Sequence, residues 1–429
     1  MKTIDKSGND AGQLDPEFGV GGILQLSAFD DQRGFGIIDS ADLQDGRSVH
    51  VLRTHDDAEY YLVSFDKLGA LIHREQVILP YETPSNIGVF FRLNYSRLDQ
   101  IACYLPGVRW PSENEADPII QTSAVGCFLT SLQPRPGFGQ QGIAVIKPSD
   151  LGEANTHRHA THESKAVAAD HIKAPAKPLD IGYSGDAQLV NGALWSISTT
   201  YHEFHNPPFR SWIAQFAPDT GKLVSVFPLE LLGNTPWEPV DVHFLQGGGF
   251  IMLAYREEQA YLAKFSDTGM LDTTFNDSGY VEMPGLDYDN SCMHVHQDRI
   301  LIASTERVPR EEPLLKLEAY LFTGQRDSTF KVKNDVVRNA AHILSPHIAV
   351  DAENRILVGL NCGIVHATDA AMIFRFKWDG TADLSFGDAG RFVLPDVVQF
   401  KHMFVSGNEI RGAGKWFSSQ KDFMFKVLD

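Results

Sequence analysis

Histidines give the most direct chemical signal in this chain. His157, His159 and His162 form a His-x-His-x-x-His triplet, with His171 further on. Imidazoles at that spacing can share a metal ion. The expectation for a histidine-rich segment of this kind is adventitious metal binding. A second set is more regular. His243, His294, His347 and His402 each sit six to nine residues ahead of an apolar run rich in β-formers. Four imidazoles at one recurring place could converge on a divalent metal, an anion or a polar ligand. The alternative is that strand alternation turns some of them away and the rest bond to backbone.

Other groups suggest recognition or hydrolysis. Asp241, Asp287, Asp289 and Glu203 are carboxylates of the kind that cleave glycosidic bonds when two of them face each other. Nothing in their spacing selects a pair. Two segments combine aromatics, Pro and charge: 105–117, with Trp110, and 200–210, with Tyr201, Phe204, Phe209 and Arg210. Aromatics beside Arg suit binding hot spots and sugar platforms. The chain has no Gly-x-Ser-x-Gly, no His-Glu-x-x-His, no phosphate-binding glycine loop and no calcium-loop spacing.

The elements that must position these residues follow from an internal repeat. Gly269-Met-Leu-Asp-Thr-Thr-Phe-Asn-Asp-Ser-Gly279 recurs from Gly12 to Gly22 and from Gly380 to Gly390. The frame is Gly, Asp at +3, Phe at +6 and Gly at +10. Weaker copies start at Gly69, Ser131, Gly221 and Gly324, giving seven copies about 57 residues apart once one insertion is set aside. Before each copy lies an apolar run such as Tyr60–Phe65, Ser211–Phe216, Ala260–Phe265 or Ala371–Phe376. Upstream of it come a turn and another strand, as in Asp45–Val51 and Gly247–Leu253. About four strands fit one unit, and no long stretch has a helical apolar period. Asp422–Asp429 is a run with no motif after it, and Gly12 is a motif with no run before it. Pairing the two completes one unit and closes a ring, which removes exposed strand edges. The expectation is an all-β fold: a seven-bladed β-propeller of four-stranded antiparallel blades, one domain over 1–429, closed by its N- and C-terminal segments.

The frame Gly-x-Leu-Asp-x-x-Phe-Gly-x-x-Gly-x-Val resembles the bacterial delta-60 repeat, a set of propeller-like repeats of this length. The match is specific at Gly12, Gly269 and Gly380 and degenerate elsewhere. The copies at Gly69 and Gly221 lack the Asp and the second Gly. The resemblance implies a fold and no catalytic residues. The repeated residues therefore read as scaffold: glycines at positive-φ turns, Asp272 accepting backbone amides, and Phe275 wedged between blades.

Composition bounds the remainder. Net charge is −18, which disfavours nucleic acid and anionic membranes as partners. The first ten residues have no apolar leader and no 18-residue apolar run occurs, so no membrane insertion is expected. Cys103, Cys127, Cys292 and Cys362 are scattered, as buried free thiols would be. These features suggest a cytoplasmic protein, or one released without a cleaved signal peptide. Residues 148–178 are rich in Ala, Pro, Lys, His and Glu, and are expected to form a flexible insertion. Without a catalytic signature, the favoured reading is a monomeric, non-catalytic binding propeller that presents loops of one face to a protein or glycan and needs no cofactor. The alternative is a propeller glycoside hydrolase or lyase with carboxylates at its channel mouth. A feature shared by every blade builds the blade, so function should lie where the copies differ.

Overall fold

The structure, a computed structural model, describes the chain except residues 1–10, 27–34, 44, 55–58, 81–91, 98–99, 111–119, 148–149, 151–185, 203–208, 231–236, 257–258, 287–289, 307–313, 332, 337–339, 365–368, 407, 417–418 and 420. Along parts of some strands it describes the backbone alone. All 28 named elements are β-strands.

They form seven antiparallel blades of four strands. The N-terminal β1 (Ile23–Gln25) belongs to the last blade. Blade 1 is β2 (Phe35–Asp42), β3 (Ser48–Thr54), β4 (Tyr60–Phe65) and β5 (Leu71–Val77). Blade 2 is β6 (Arg92–Arg97), β7 (Gln100–Trp110), β8 (Ile120–Leu129) and β9 (Ile143–Val145). Blade 3 is β10 (Asp186–Val190), β11 (Ala193–His202), β12 (Phe209–Phe216) and β13 (Leu223–Pro228). Blade 4 is β14 (Glu238–Phe244), β15 (Phe250–Arg256), β16 (Gln259–Phe265) and β17 (Tyr280–Met283). Blade 5 is β18 (Ser291–His296), β19 (Arg299–Glu306), β20 (Leu314–Leu321) and β21 (Lys333–Val336). Blade 6 is β22 (Ala340–Val350), β23 (Ile356–Ile364), β24 (Ala370–Phe376) and β25 (Arg391–Pro395). Blade 7 is β26 (Val397–Ser406), β27 (Glu409–Trp416), β28 (Asp422–Val427) and then β1.

The ring closes as the repeat implied. β1 pairs with β28 through Ile23↔Phe425, Leu24↔Met424 and Gln25↔Phe423. The Gly12 amide donates to the Leu428 carbonyl at 2.7 Å, and the Leu428 amide donates to the Gln13 carbonyl at 2.7 Å. The first strands β2, β6, β10, β14, β18, β22 and β26 touch in succession, and β26 returns to β2. They are the innermost wall of the ring.

The repeat frame is the joint between blades. Its Phe is buried in the next blade: Phe275 among Ile300, Ile302 and Tyr320 of blade 5, Phe330 among Ile356, Val358 and Phe376 of blade 6, and Phe18 against Leu52 and Phe65 of blade 1. The first Gly of the next copy lies on that ring. A Cβ on Gly324 would stand 3.1 Å from Phe275 Cδ1 and 2.8 Å from Asn276 Cβ; one on Gly380 would stand 2.8 Å from Phe330 Cε1. Both glycines also have φ near +80°, which L side chains rarely adopt. A backbone bond accompanies the contact. The amide following the Phe donates to the carbonyl just ahead of the next Gly, from Gly19 to Leu68 (3.0 Å), Gly139 to Thr220 (2.9 Å), Asn276 to Thr323 (2.8 Å), Lys331 to Asp379 (2.8 Å) and Gly387 to Ala11 (2.9 Å). The frame Asp caps its own turn: Asp272 Oδ1 accepts from the Thr274 amide at 3.0 Å and hydroxyl at 2.6 Å. Its other oxygen lies 2.8 Å from Lys264 Nζ. Lys264, then the Thr274 hydroxyl, hold the Asp272 carboxyl below the usual carboxylate range.

Buried and half-buried polar side chains add a second set of joints. The Gln188 amide group donates to the Val242 carbonyl at 3.1 Å and accepts from the Phe244 amide at 3.2 Å, joining β10 to β14. Asp241 accepts the Met293 amide at 2.8 Å, joining β14 to β18. Asn361 grips both backbone groups of Phe400, joining blade 6 to blade 7. Asp422 is buried, accepts the Ile37 amide at 2.6 Å and pairs with Lys401, joining blade 7 to blade 1. Buried polar groups need such partners, so these residues specify blade order as well as hold it.

Candidate functional site

Antiparallel blades sort their connections by end. First-to-second and third-to-fourth strand connections open at one end; second-to-third and blade-to-blade connections open at the other. The first end carries the repeat turns. The second carries 111–119 between β7 and β8, 203–208 between β11 and β12, and the connection from β9 to β10 that contains 148–178. The chain's departures from its own repeat therefore share one end of the ring. The insertion, with His157, His159, His162 and His171, lies outside the described residues.

Strand length brings the two aromatic segments together. β7, β8 and β11 span 11, 10 and 10 residues, against 6 or 7 for β3 and β4 of blade 1. Beyond the ends of the short β9 and β10, β8 pairs directly with β11 across the blade boundary, through Tyr201↔Gln121 and His202↔Ile120. Register then carries across four strands: Arg109↔Gln121, Gln121↔Tyr201, Tyr201↔Phe209. Trp110 pairs with Ile120, one residue along, and Arg210 pairs with Thr200. Strands lie about 4.8 Å apart, so this row is about 14 Å wide. Phe204 lies outside the described residues.

The four repeat histidines occupy first strands of consecutive blades: His243 on β14, His294 on β18, His347 on β22 and His402 on β26. All four are half-buried. Their cross-strand partners are Ile251, Leu301, Gly359 and Ala413, which are the second, third, fourth and fifth residues of their strands. Measured from the third-strand residue that bridges to each repeat turn (Phe265, Tyr320, Phe376 and Val427), the positions lie one, one, three and three residues along, so His243 and His294 share one level of the wall and His347 and His402 another. They form neighbour contacts. His347 and His402 have ring centroids 5.8 Å apart, and His402 Nδ1 lies 3.3 Å from Asp39 Oδ1 of blade 1. His294 stacks on His296 at 6.3 Å. Burial, then His296 and His243, push the His294 imidazole down to about 4; burial also lowers His243. Among the described residues, no three His, Cys, Asp or Glu come together in a way that could hold a metal ion. Burial thus favours the neutral imidazole at His243 and His294.

Of the four candidate carboxylates, Asp241 is engaged in the blade 4 to blade 5 joint, while Asp287, Asp289 and Glu203 lie outside the described residues. The four cysteines are free; Cys103, Cys127 and Cys362 are buried. No helix among the described residues is long and apolar enough to cross a membrane.

One feature was not anticipated from the sequence. On the repeat-turn end, a cavity of about 690 Å3 opens between the Gln246–Gly249 turn, the Ser266–Asp272 turn and blade 5. Polar groups from His243, Gln246, Lys264, Ser266, Asp267 and Gln297 line it, over an apolar floor of Leu245, Phe265, Val295 and Phe322. A smaller hollow on the other side of the same turn reaches Trp195, Gln215 and Asn191. The available signal was Gly247-Gly248-Gly249, a glycine run longer than a hairpin turn needs.

The chain matches no family model and no curated protein. It is similar to several solved structures at low identity. A protein of unknown function from Dyadobacter fermentans is 12% identical, over 81% of this chain and 96% of that one, with a TM-score of 0.43. A prolyl endopeptidase is 11% identical over 92% of this chain, with a TM-score of 0.46; this chain spans 50% of it. The α-L-arabinofuranosidase of Fusarium graminearum is 10% identical, over 81% of this chain and 94% of that one, with a TM-score of 0.42.

Proposed function

We propose that this chain is a non-catalytic binding propeller that docks a protein or glycan partner on the end carrying 111–119, 203–208 and the β9–β10 connection. The observation that carries the reading is the β8–β11 pairing, which sets Tyr201 and Phe209 in one cross-strand row at that end, with Trp110 and Arg210 in the rows on either side of it. Aromatic and Arg positions on a rigid, multi-strand base suit recognition, because little side-chain freedom is lost on binding. The regular end holds the blades together, so the other end is free to vary. Asp241, engaged in a blade joint, lends no support to a catalytic carboxylate pair. The resemblance to delta-60 repeats belongs to this proposal, as the origin of the scaffold. Four free thiols suit a reducing compartment.

The test pairs a glycan array and affinity capture with a hydrolase and lyase panel. Wild-type protein is expected to retain a partner without turnover. Tyr201→Ala combined with Phe209→Ala is expected to lose that partner tenfold or more. Turnover that disappears in carboxylate variants would instead establish the glycoside hydrolase or lyase alternative.

A further inference from the structure

The cavity on the repeat-turn end has the chemistry of a ligand site separate from the loop end. Its volume falls within the range of small-molecule sites. Three of its polar groups have no job in the scaffold. Among the described residues, the Asp267 carboxylate, the Gln246 side-chain amide and the His243 ring make no hydrogen bond. Lys264 is held in place by Asp272 at 2.8 Å and still has donors to spare.

The turn itself points the same way. Gly249 must be glycine: a Cβ there would stand 2.2 Å from the Phe265 carbonyl oxygen, and φ is +75°. Gly248 has φ of +95°. Gly247 has neither constraint. Its φ lies outside the left-handed region, and an added Cβ would meet nothing within 4 Å. A glycine that neither backbone conformation nor packing demands, on the lip of a cavity, leaves bare peptide and open space there. That space is available to a ligand.

The donor set selects the ligand class. Lys264 would repel a cation, and Asp267 with Asp272 would repel an anion. A carboxylate, a neutral imidazole, a primary amide and peptide groups over an apolar floor together suit a neutral polyhydroxylated ligand, whose hydroxyls both donate and accept. Phe322 at one end and Trp195, in the adjoining hollow, at the other offer apolar faces to sugar rings.

We propose that the groove around Gln246–Gly249, between blades 3 and 5, binds a neutral carbohydrate, with Asp267, Gln246, His243 and Lys264 as its polar contacts. The site lies opposite the loop end and does not depend on the function proposed there.

The test uses the full chain on an array of neutral oligosaccharides (glucans, mannans, xylans, galactans and arabinans) beside sulfated and uronic-acid glycans, followed by titration of the best binder. Gly247→Phe should fill the groove without disturbing the fold, and Asp267→Ala removes an exposed carboxylate. Each is expected to weaken binding of a neutral glycan tenfold or more, with an unchanged thermal midpoint. Tyr201→Ala combined with Phe209→Ala should leave this binding intact, which separates it from any loop-end partner. The proposal is overturned if no neutral glycan binds, if only anionic glycans bind, or if both groove variants bind as wild type does.

Discussion

Phe275→Ala tests whether the repeat frame is a joint between blades. The ring of Phe275 is fully buried between blades 4 and 5, among Ile300, Ile302, Tyr320 and Met283. It also supports the underside of Gly324, whose Cβ would come within 3.1 Å of it. Deleting the ring removes its transfer free energy and leaves a cavity that two packed sheets can close only in part. Such Phe-to-Ala changes cost about 3–5 kcal/mol. Unfolding entropy of about 2.1 cal/mol/K per residue, over 429 residues, gives about 0.9 kcal/mol/K, so the midpoint should fall by about 4 °C. Urea unfolding followed by tryptophan fluorescence, with a calorimetric scan beside it, measures both quantities. Leu384→Ala is the control: it lies in the Gly380 copy of the frame but is 70% exposed, and should change stability by less than about 0.5 kcal/mol. A loss below about 1 kcal/mol for Phe275→Ala, or an equal loss for Leu384→Ala, would refute the joint.

Other outcomes follow from the same geometry. Asp422→Ala removes the acceptor of the Ile37 amide and strands the half-buried Lys401 charge, so it should cost about 3–5 kcal/mol by denaturant titration. Asp379→Ala, at an exposed surface pair with Lys331, should leave the denaturant midpoint nearly unchanged in the same titration. Stability should fall on acidification. In the folded chain burial holds the His50 imidazole down to about 3 and His294 to about 4, while in the unfolded chain both protonate near 6.5. Between pH 6.5 and 4 the unfolded chain thus binds more protons, and stability rises with pH across that window and levels off above it. Thermal midpoints at pH 7.5 and 5 check this, and His294→Gln should flatten the difference; an unchanged midpoint contradicts it. Reductant should leave the midpoint unmoved, since the cysteines are free.

The fold was legible because its signals are local and repeated. Gly269, Asp272 and Phe275 stand at spacings that one turn imposes, and the unpaired run at Asp422–Val427 shows where the ring must close. What escaped the sequence depends on contacts between units. The β8–β11 pairing follows from strands in two blades extending past their shorter neighbours, which no window containing one strand reveals. Asp241 looked like a free carboxylate, but the register shift between Pro239 and Asp241 lies beside it and its oxygen meets the Met293 amide. The histidines were legible as a recurring position. Their grouping by level, His243 with His294 and His347 with His402, is set by register. The Gln246–Gly249 groove was hidden for a similar reason: the glycine run signals a hairpin, and the groove exists only once the Ser266–Asp272 turn and blade 5 surround it.

The central claim is that the repeat frame is scaffold and that the partner of the proposed function docks at the opposite end of the ring. The most direct measurement is the affinity of the captured loop-end partner for wild type and for Tyr201→Ala with Phe209→Ala, read beside each protein's thermal midpoint. The account predicts binding weakened tenfold or more, at a midpoint within about 1 °C of wild type. Unchanged affinity in that variant would contradict it.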